Sequence, residues 1–224
     1  MAVITVSRQL GSHGGRIARA LAGELGYDLV DKGVVNRVIR QYGLTRLDAV
    51  YDHKPKVWEL FNDDSVATIQ MMNETIAAVA ARGNVVILGR GGARVLRDMA
   101  DVLNVYVKAP DDVRAKRIAK RDSISVEDAA KVITGDDALR ARFSRLFYSA
   151  DWAEESQFDL VVDTGADSDD AAKANILEAA AGLPARGIRP AATIAVDEVL
   201  AATVEKALAR RAAREHAPAQ PAPF

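Results

Sequence analysis

Short apolar runs alternate along this chain with longer stretches in which apolar residues recur at helical spacing, as Ile17, Leu21 and Leu25 do. The short runs predict buried strands, because they are rich in β-branched residues and bounded by polar residues or glycine. Buried strands that alternate with amphipathic helices are typical of a parallel sheet covered on both faces. We therefore expect a three-layer α/β/α fold with five parallel strands, at residues 3–6, 28–30, 84–88, 102–107 and 158–162.

Further helices are predicted around this sheet. A long helix covers residues 65–82, and another begins at Pro110, with Asp111 and Asp112 at its positive end. Residues 33–63 fit the strand pattern poorly and predict a small helical insertion, of the kind that closes over a substrate.

Domain boundaries follow from changes in composition. The sheet domain is expected to span residues 1–185, followed by a C-terminal helical extension at 186–216 with its helix at 196–215. Residues 217–224 are rich in alanine and proline and predict a disordered tail. The extension carries a basic group that we interpret as a solvated helix face, with partner or nucleic-acid binding as the alternative. Its members are Lys206, Arg210, Arg211 and Arg214.

A glycine-rich turn joins the first strand to the first helix. It runs from Ser7 to Arg16 and contains Gly11, Gly14 and Gly15. Glycines let the backbone approach a ligand closely, and the first amides of a helix have no partner within the helix, so such a junction binds anions, most often phosphate. The turn is therefore a candidate phosphate-binding loop.

The side chains of this turn depart from those of a standard P-loop. A P-loop ends in Gly-Lys-Ser/Thr, where the lysine reaches the outer phosphates and the hydroxyl binds magnesium. Gly14 and Gly15 occupy those two positions here.

Two other side chains in the turn have polar atoms that could donate to phosphate. His13 is as readily explained as a solvent-facing residue. Ser12 has a more ordinary role as the residue that begins the helix. Both interpretations stay open at the level of sequence.

A second glycine-rich turn follows the third predicted strand, in Leu88-Gly-Arg-Gly-Gly-Ala-Arg94. Ligands of open α/β sheets bind outside the carboxyl ends of the strands, so Arg90 is expected beside the first glycine turn. An arginine there can bind phosphate through two parallel hydrogen bonds. The alternative is that the glycines only form a tight turn and that Arg90 pairs with a neighbouring acid.

Charged residues also cluster on two predicted helices farther along the chain. They are Arg114, Arg117 and Arg121, then Asp137 and Arg140. We interpret residues 114–142 as a lid, in which two helices joined by a connection at 122–135 bring cations onto a transferring phosphoryl group. The alternative is a solvated surface with ion pairs within each helix, which contribute little to stability.

Composition narrows the classes of function. The 224 residues carry a formal net charge of -1 and are 49% hydrophobic, which suits one α/β domain and gives no electrostatic reason to bind nucleic acid or a membrane surface. The absence of cysteine excludes disulfides and thiolate metal sites, and three histidines far apart in sequence predict no metal cluster. Without a recognisable signal sequence or transmembrane run, we expect a cytoplasmic protein that binds small molecules.

The order of these motifs resembles the nucleoside monophosphate kinases, and in particular the cytidylate kinase-like family. The resemblance covers roughly residues 3–180. Its main segments are Ile4-Thr-Val-Ser-Arg-Gln-Leu-Gly-Ser12, Leu25-Gly-Tyr-Asp-Leu-Val-Asp-Lys32, Val86-Ile-Leu-Gly-Arg-Gly-Gly92, Asp137-Ala-Leu-Arg140 and Phe158-Asp-Leu-Val-Val-Asp-Thr164. Two departures stand out: the loop lacks its lysine, and Leu88 stands where typical cytidylate kinases have a carboxylate that could help to hold magnesium. The resemblance offers Arg16, just after the glycines of the loop, and Arg8, at its opening, as the candidates for the missing positive charge.

The resemblance implies a P-loop kinase fold and assigns roles to individual residues. The phosphate-binding residues it implies are Arg8, Gly11, Ser12, His13, Gly14, Gly15 and Arg16. The acceptor-binding residues are Asp31, Lys32, Arg90 and Asp137. The cations that would act in phosphoryl transfer are Arg16, Arg90, Arg117, Arg121 and Arg140. ATP would be the donor, with Mg²⁺ held through its phosphates.

We therefore expect an ATP- and magnesium-dependent phosphotransferase that acts on a CMP-like nucleoside monophosphate. The alternative is a nucleotide- or anion-binding module that has lost catalysis and acts through partners that contact the insertion or the C-terminal helix. A homo-oligomer formed through the same two elements is a further expectation.

Overall fold

The computed structural model describes residues 2–44, 63–183 and 189–215. Within these ranges the strands form one five-stranded sheet in the order β2-β3-β1-β4-β5, and every pairing is parallel. The strands are β1 (Val3–Arg8), β2 (Asp28–Val30), β3 (Val85–Leu88), β4 (Val102–Lys108) and β5 (Leu160–Asp163). All five predicted strands are confirmed, with ends that differ by one or two residues.

Helices cover both faces of this sheet. They are α1 (Gly14–Leu25), α2 (Lys32–Gln41), α3 (Asp63–Arg82), α4 (Gly92–Val95), α5 (Asp111–Asp122), α6 (Val126–Tyr148), α7 (Asp169–Ala181) and α8 (Glu198–Glu215). Successive residues of β3 face opposite sides, so Val85 and Ile87 pack with α2, α3 and α8, whereas Val86 packs with α1 and α7. The expected three-layer α/β/α fold is confirmed.

The first helix ends where the sequence predicts its end. Gly26 ends α1 in a left-handed conformation (φ 65°) and donates its N–H to the carbonyl of Ala22, as its position in the sequence predicts.

The predicted connection at 122–135 is wrong. Only residues 123–125 separate α5 from α6, because Ser125 caps α6 by accepting a hydrogen bond from the Asp128 amide at 3.0 Å.

Several expectations lie partly outside the described residues. Helix α2 lies at the start of the insertion predicted at 33–63, while residues 45–62 and the tail at 217–224 lie outside the described ranges. The domain boundaries stay predictions. Among the described helices, none combines the length and the apolar character needed to span a membrane.

The C-terminal helix α8 packs against α2 and α3. Its apolar side, including Val204 and Leu208, is buried in the same core cluster as those helices. Arg211 donates from Nη1 to Oδ2 of Asp31 at 2.6 Å, and only 14% of the Arg211 side chain is exposed. The interpretation of Arg211 as part of a solvated face is therefore wrong, because its guanidinium pairs with an acid 180 residues earlier in the chain.

Asp31 is held as a carboxylate by this contact. Its Oδ1 accepts hydrogen bonds from the amides of Gly33 at 2.8 Å and Val34 at 3.2 Å, which caps α2. Burial opposes ionisation, but the hydrogen bond and charge of Arg211, with these two amides, outweigh it, so the pKa of Asp31 lies below its ordinary value of 3.8. The ion pair therefore contributes stability above that pH.

We predict that Arg211→Ala lowers the free energy of unfolding by about 1–2 kcal/mol, because Asp31 loses a charged hydrogen bond. Arg210→Ala, on the exposed side of the same helix, is the control and should change it by less than about 0.5 kcal/mol. The carboxylate's contribution is present above pH 3.8 and lost as the pH falls through the lowered pKa. Urea titrations across this range should therefore show a smaller acid-induced loss in Arg211→Ala than in wild type, and equal losses would contradict the assignment.

Candidate active site

The loop between β1 and α1 is shaped by bonds within its own backbone. Gly11 and His13 adopt left-handed conformations, with φ of 83° and 61°. Ser12 is fully buried, and its hydroxyl donates to the carbonyl of Gln9 at 2.9 Å. Ser12 therefore stabilises the turn. The N-cap residue of α1 is His13, whose side chain makes no capping hydrogen bond. The helix N-terminus at this loop is the feature from which the sequence predicts an anion site, and that site stays a prediction.

Arg114 connects the loop to α5 and α6. Its guanidinium is 2% exposed and binds Asp111 at 2.6 Å, Asp137 at 2.8 and 3.2 Å, and the carbonyl of Leu10 at 3.4 Å. Burial would lower the pKa of Arg114, but the hydrogen bonds and charges of Asp137 and Asp111 outweigh it and raise the pKa. Asp137, expected to bind an acceptor, is thus used to hold a buried cation. A Cβ at Gly11 would lie 2.9 Å from the Arg114 carbonyl oxygen, which explains glycine at this point.

Arg117 binds the loop backbone from the next turn of α5. Nη1 donates to the carbonyl of Gly11 at 3.2 Å and to Oγ1 of Thr164 at 2.9 Å, and Nη2 donates to the carbonyl of Thr164 at 2.7 Å. The Thr164 hydroxyl in turn lies 2.9 Å from the carbonyl of Ser12, within hydrogen-bond distance. Arg117, expected to act on a phosphoryl group, therefore also ties the loop to the end of β5.

The side chain of Arg8 occupies the space into which the lysine of a standard P-loop would project from position 14. A Cβ at Gly14 would lie 2.6 Å from Cβ of Arg8 and 3.3 Å from Cβ of Val107, so the stem of Arg8 fills the space at the lysine position. Farther along, Nη1 of Arg8 lies over Gly89, where a Cβ would overlap it. The cation thus starts from the opening of the loop and reaches the carboxyl end of β3.

His13 and Arg16 share one acid at the start of α7. Nδ1 of His13 lies 2.9 Å from Oδ1 of Asp169, and Nη2 of Arg16 lies 3.4 Å from Oδ2 of the same residue. The Arg16 side chain is 68% exposed. Of the two candidates for the missing charge, Arg16 therefore lies at the outer edge of the loop, whereas Arg8 lies at its centre.

A large cationic cavity, which we call the loop cavity, opens beside the loop and has a volume of about 900 Å³. Seven of its lining side chains are arginine or lysine, and none of the described ones is acidic. These cations are Arg8, Arg16, Arg19, Arg117, Lys120, Arg121 and Arg140. Arg121 pairs with Asp122 at 2.6 Å, and this pairing raises the pKa of Arg121. The cavity fits a ligand with several negative charges.

A smaller cavity, which we call the aromatic cavity, lies at the end of β3 and has a volume of about 80 Å³. Its main side chains are Arg8, Arg90, Arg94, Arg140, Phe143, Tyr148, Trp152 and Phe158. Arg140 lies over the ring of Trp152 at 5.9 Å and donates to Asp136. Burial, followed by the charge of Arg97, lowers the pKa of Arg94. Aromatic faces and guanidinium groups are the combination that binds a nucleobase and its phosphate.

Three consecutive left-handed residues shape the turn after β3. Gly89, Arg90 and Gly91 have φ of 71°, 57° and 75°, which directs Arg90 into the aromatic cavity. Arg8 and Arg140 are the two arginines that line both cavities, so the cavities meet at these side chains. Asp31 and Lys32 line neither, since Asp31 caps α2 and binds Arg211.

Sequence reasoning missed three groups of site residues. Arg114 belongs to a charged motif that is visible in the sequence. Its partner Asp137 lies 23 residues away, and no local pattern predicts the contact between them. Asp169 lies 156 residues from His13. The aromatic side chains of the small cavity are scattered over 143–158, where the one usable signal is the density of aromatic residues beside the lid arginines.

Comparisons by sequence with known proteins identify one family, and a comparison of structures supports the fold. The model of the cytidylate kinase-like family matches residues 3–166. A cytidylate kinase of Ignicoccus hospitalis is 36% identical over 166 residues, which cover 73% of this chain and 90% of that protein. A cytidylate kinase of Pyrobaculum arsenaticum is also 36% identical, over 73% of this chain and 84% of that protein. Among solved structures, an uncharacterized protein from Eubacterium ventriosum superposes with a TM-score of 0.66 over 81% of this chain and 99% of that one, at 18% identity, and so shares the fold.

We predict that Gly14→Ala destabilises the protein by about 1–3 kcal/mol, because the new methyl group would overlap the Arg8 stem. Gly15→Ala is the matched control: a Cβ there meets its nearest neighbour, Cδ2 of Leu88, at 3.9 Å, and alanine favours a helix over glycine by up to about 1 kcal/mol. Urea titration of both variants checks the difference. Equal stabilities of the two variants would mean that Arg8 does not fill the space above Gly14.

Proposed function

Because the chain belongs to the cytidylate kinase-like family, we propose that it transfers the γ-phosphoryl group of ATP to a nucleoside monophosphate, with CMP as the acceptor. Family and fold support a nucleotide kinase, while ATP and CMP as its substrates are parts of the proposal. The observation that carries it is the junction of the two cavities at Arg8 and Arg140. A donor and an acceptor in these cavities would bring their phosphates together between two guanidinium groups.

The loop cavity is the donor site in this proposal. Its volume of about 900 Å³ lies within the range of roughly 300–1,000 Å³ for small-molecule sites. The amides at the start of α1 and the positive end of its dipole favour a phosphate chain at the loop. Arg117 and Arg121 line the cavity from α5 and would lie beside the same chain of phosphates.

The aromatic cavity is the acceptor site. Trp152 and Phe158 place aromatic rings in its wall, beside which a base would pack, and Arg90 and Arg94 supply donors for a monophosphate. The volume of about 80 Å³ is too small for a nucleotide, so the aromatic side chains or the end of α6 must move outward when an acceptor enters. Acceptor binding is therefore coupled to the position of Arg140, which lies on α6.

The chemistry needs no catalytic base from the protein. An acceptor phosphate is already an anionic nucleophile at neutral pH, and phosphoryl transfer depends mostly on positioning and electrostatic stabilisation. Arg8 and Arg140 would relieve the repulsion between the two anions and stabilise the charge that develops on the transferred group. Arg114 and Arg117 act as positioning residues, because they fix the backbone of the loop through Leu10 and Gly11.

The side chains around the loop do not fit a magnesium ion held by the protein. Proteins bind Mg²⁺ through carboxylates together with substrate phosphates, and P-loops add a Ser or Thr hydroxyl. Gly15 stands at the hydroxyl position, and the described residues that line the loop cavity include no acid. Asp31 is 2.6 Å from Arg211 and does not line the cavity. We therefore assign no step of the transfer to a protein-bound metal.

We predict that Arg8→Ala and Arg140→Ala each lower kcat/KM by about 10²–10³-fold, because each removes a cation from the point where the phosphates meet. Arg8→Lys should recover part of the loss, since it keeps the charge without the planar fork. Arg145→Ala, an exposed position on α6, is the control and should retain wild-type turnover. The measurement is ADP release with ATP over a panel of monophosphates, with circular dichroism to establish folding.

Wild-type rates in a folded Arg8→Ala and Arg140→Ala pair would contradict the catalytic assignment. The competing function, a binding module without catalysis, makes a different prediction for the unmodified protein. Calorimetry would then detect ATP binding, while none of the monophosphates would support ADP release.

A further inference from the structure

The charges around the loop cavity are strongly unequal. Seven arginine and lysine side chains line it, whereas Asp122, Asp136 and Asp169, which pair with three of them, are not among its lining residues. Arg117 donates hydrogen bonds to the neutral oxygens of Gly11 and Thr164, and these contacts do not neutralise its positive charge. None of the described residues that line the cavity is acidic, so the charge of its lining is positive.

The acids that could balance this charge with a metal are used in other contacts. Asp137 is bound to the buried Arg114, and Asp31 is bound to Arg211 on α8. Within the part of the chain that the structure describes, no three His, Asp or Glu side chains come together in a way that could hold a metal ion. Among the described residues, the loop cavity therefore has neither an acid cluster nor a hydroxyl at the P-loop position for magnesium.

We propose that the loop cavity binds ATP in its metal-free form, with arginines supplying the positive charge that Mg²⁺ supplies at a standard P-loop. This inference rests on the proposed function and specifies the ionic form of its donor. Magnesium removes two negative charges from ATP, so a site built from cations alone attracts the metal-free nucleotide more strongly than the magnesium complex. Arg8 and Arg140 face the outer phosphates, and Arg117 and Arg121 face the chain from α5.

The decisive test compares ATP affinity of the full chain with and without the metal. Isothermal titration calorimetry with ATP in excess EDTA, and with ATP in excess MgCl₂ at matched ionic strength, gives two dissociation constants. We expect the EDTA value to be lower by about tenfold, a difference of about 1.4 kcal/mol. The preference should shrink as sodium chloride is raised, because salt screens the excess charge of the free nucleotide.

Gly15 allows the missing metal ligand to be added. A side chain there has room, since Cδ2 of Leu88 at 3.9 Å is its nearest neighbour. Gly15→Ser places a hydroxyl where P-loops bind magnesium, and it should shift the ratio of the two dissociation constants toward MgATP. Gly15→Ala, which adds the same Cβ without the hydroxyl, is the matched control and should keep the wild-type ratio.

The outcomes separate this inference from the proposed function. Wild-type protein that binds ATP with MgCl₂ but at least tenfold more weakly in EDTA would overturn the inference and leave the kinase proposal intact. Protein that binds ATP under neither condition would overturn both. Gly15→Ser with the same ratio as Gly15→Ala would overturn the assignment of Gly15 to the magnesium position.

Discussion

The site depends on a steric exclusion between Arg8 and residue 14. Because the stem of Arg8 and Val107 fill the space above Gly14, a lysine cannot project from that point of the loop. A cation reaches the loop from the end of β1 instead, because Arg8 is the last residue of that strand. Since β1 lies in the middle of the sheet, this cation reaches the turn after β3 and the boundary between the two cavities. We infer that Arg8 supplies the positive charge that the lysine supplies in a standard P-loop.

Rigid support for the loop comes from two arginines that the sequence pattern groups with the lid. Arg114 is buried between Asp111 and Asp137, and removal of one member of such a buried pair leaves an uncompensated charge. Arg117 binds the loop carbonyl of Gly11 directly. Helices α5 and α6 are therefore joined to the loop through buried side chains, and their cations Arg117, Arg121 and Arg140 line the loop cavity. Arg140, on the second helix, extends this arrangement to the aromatic cavity.

The parts of the structure that follow from local patterns could be predicted from the sequence. Five β-rich runs gave five strands, and Gly26 ends α1 because a left-handed residue is needed there. Contacts between distant residues could not be predicted in the same way. Asp31 follows a strand in a position suited to an acceptor, yet Arg211, on a helix beyond the family match, takes its carboxylate. Asp137 and Arg140 are one helical turn apart on α6. Asp137 binds the buried Arg114, whereas Arg140 lies at the cavities.

The central claim is that Arg8 occupies the place of the P-loop lysine between donor and acceptor. A crystal structure with a non-hydrolysable ATP analogue and CMP tests it directly. Our account predicts that the guanidinium of Arg8 lies about 3 Å from oxygens of both the terminal phosphate of the analogue and the phosphate of CMP. A complex in which Arg8 contacts neither phosphate, while Arg16 binds the terminal phosphate in its place, would contradict it.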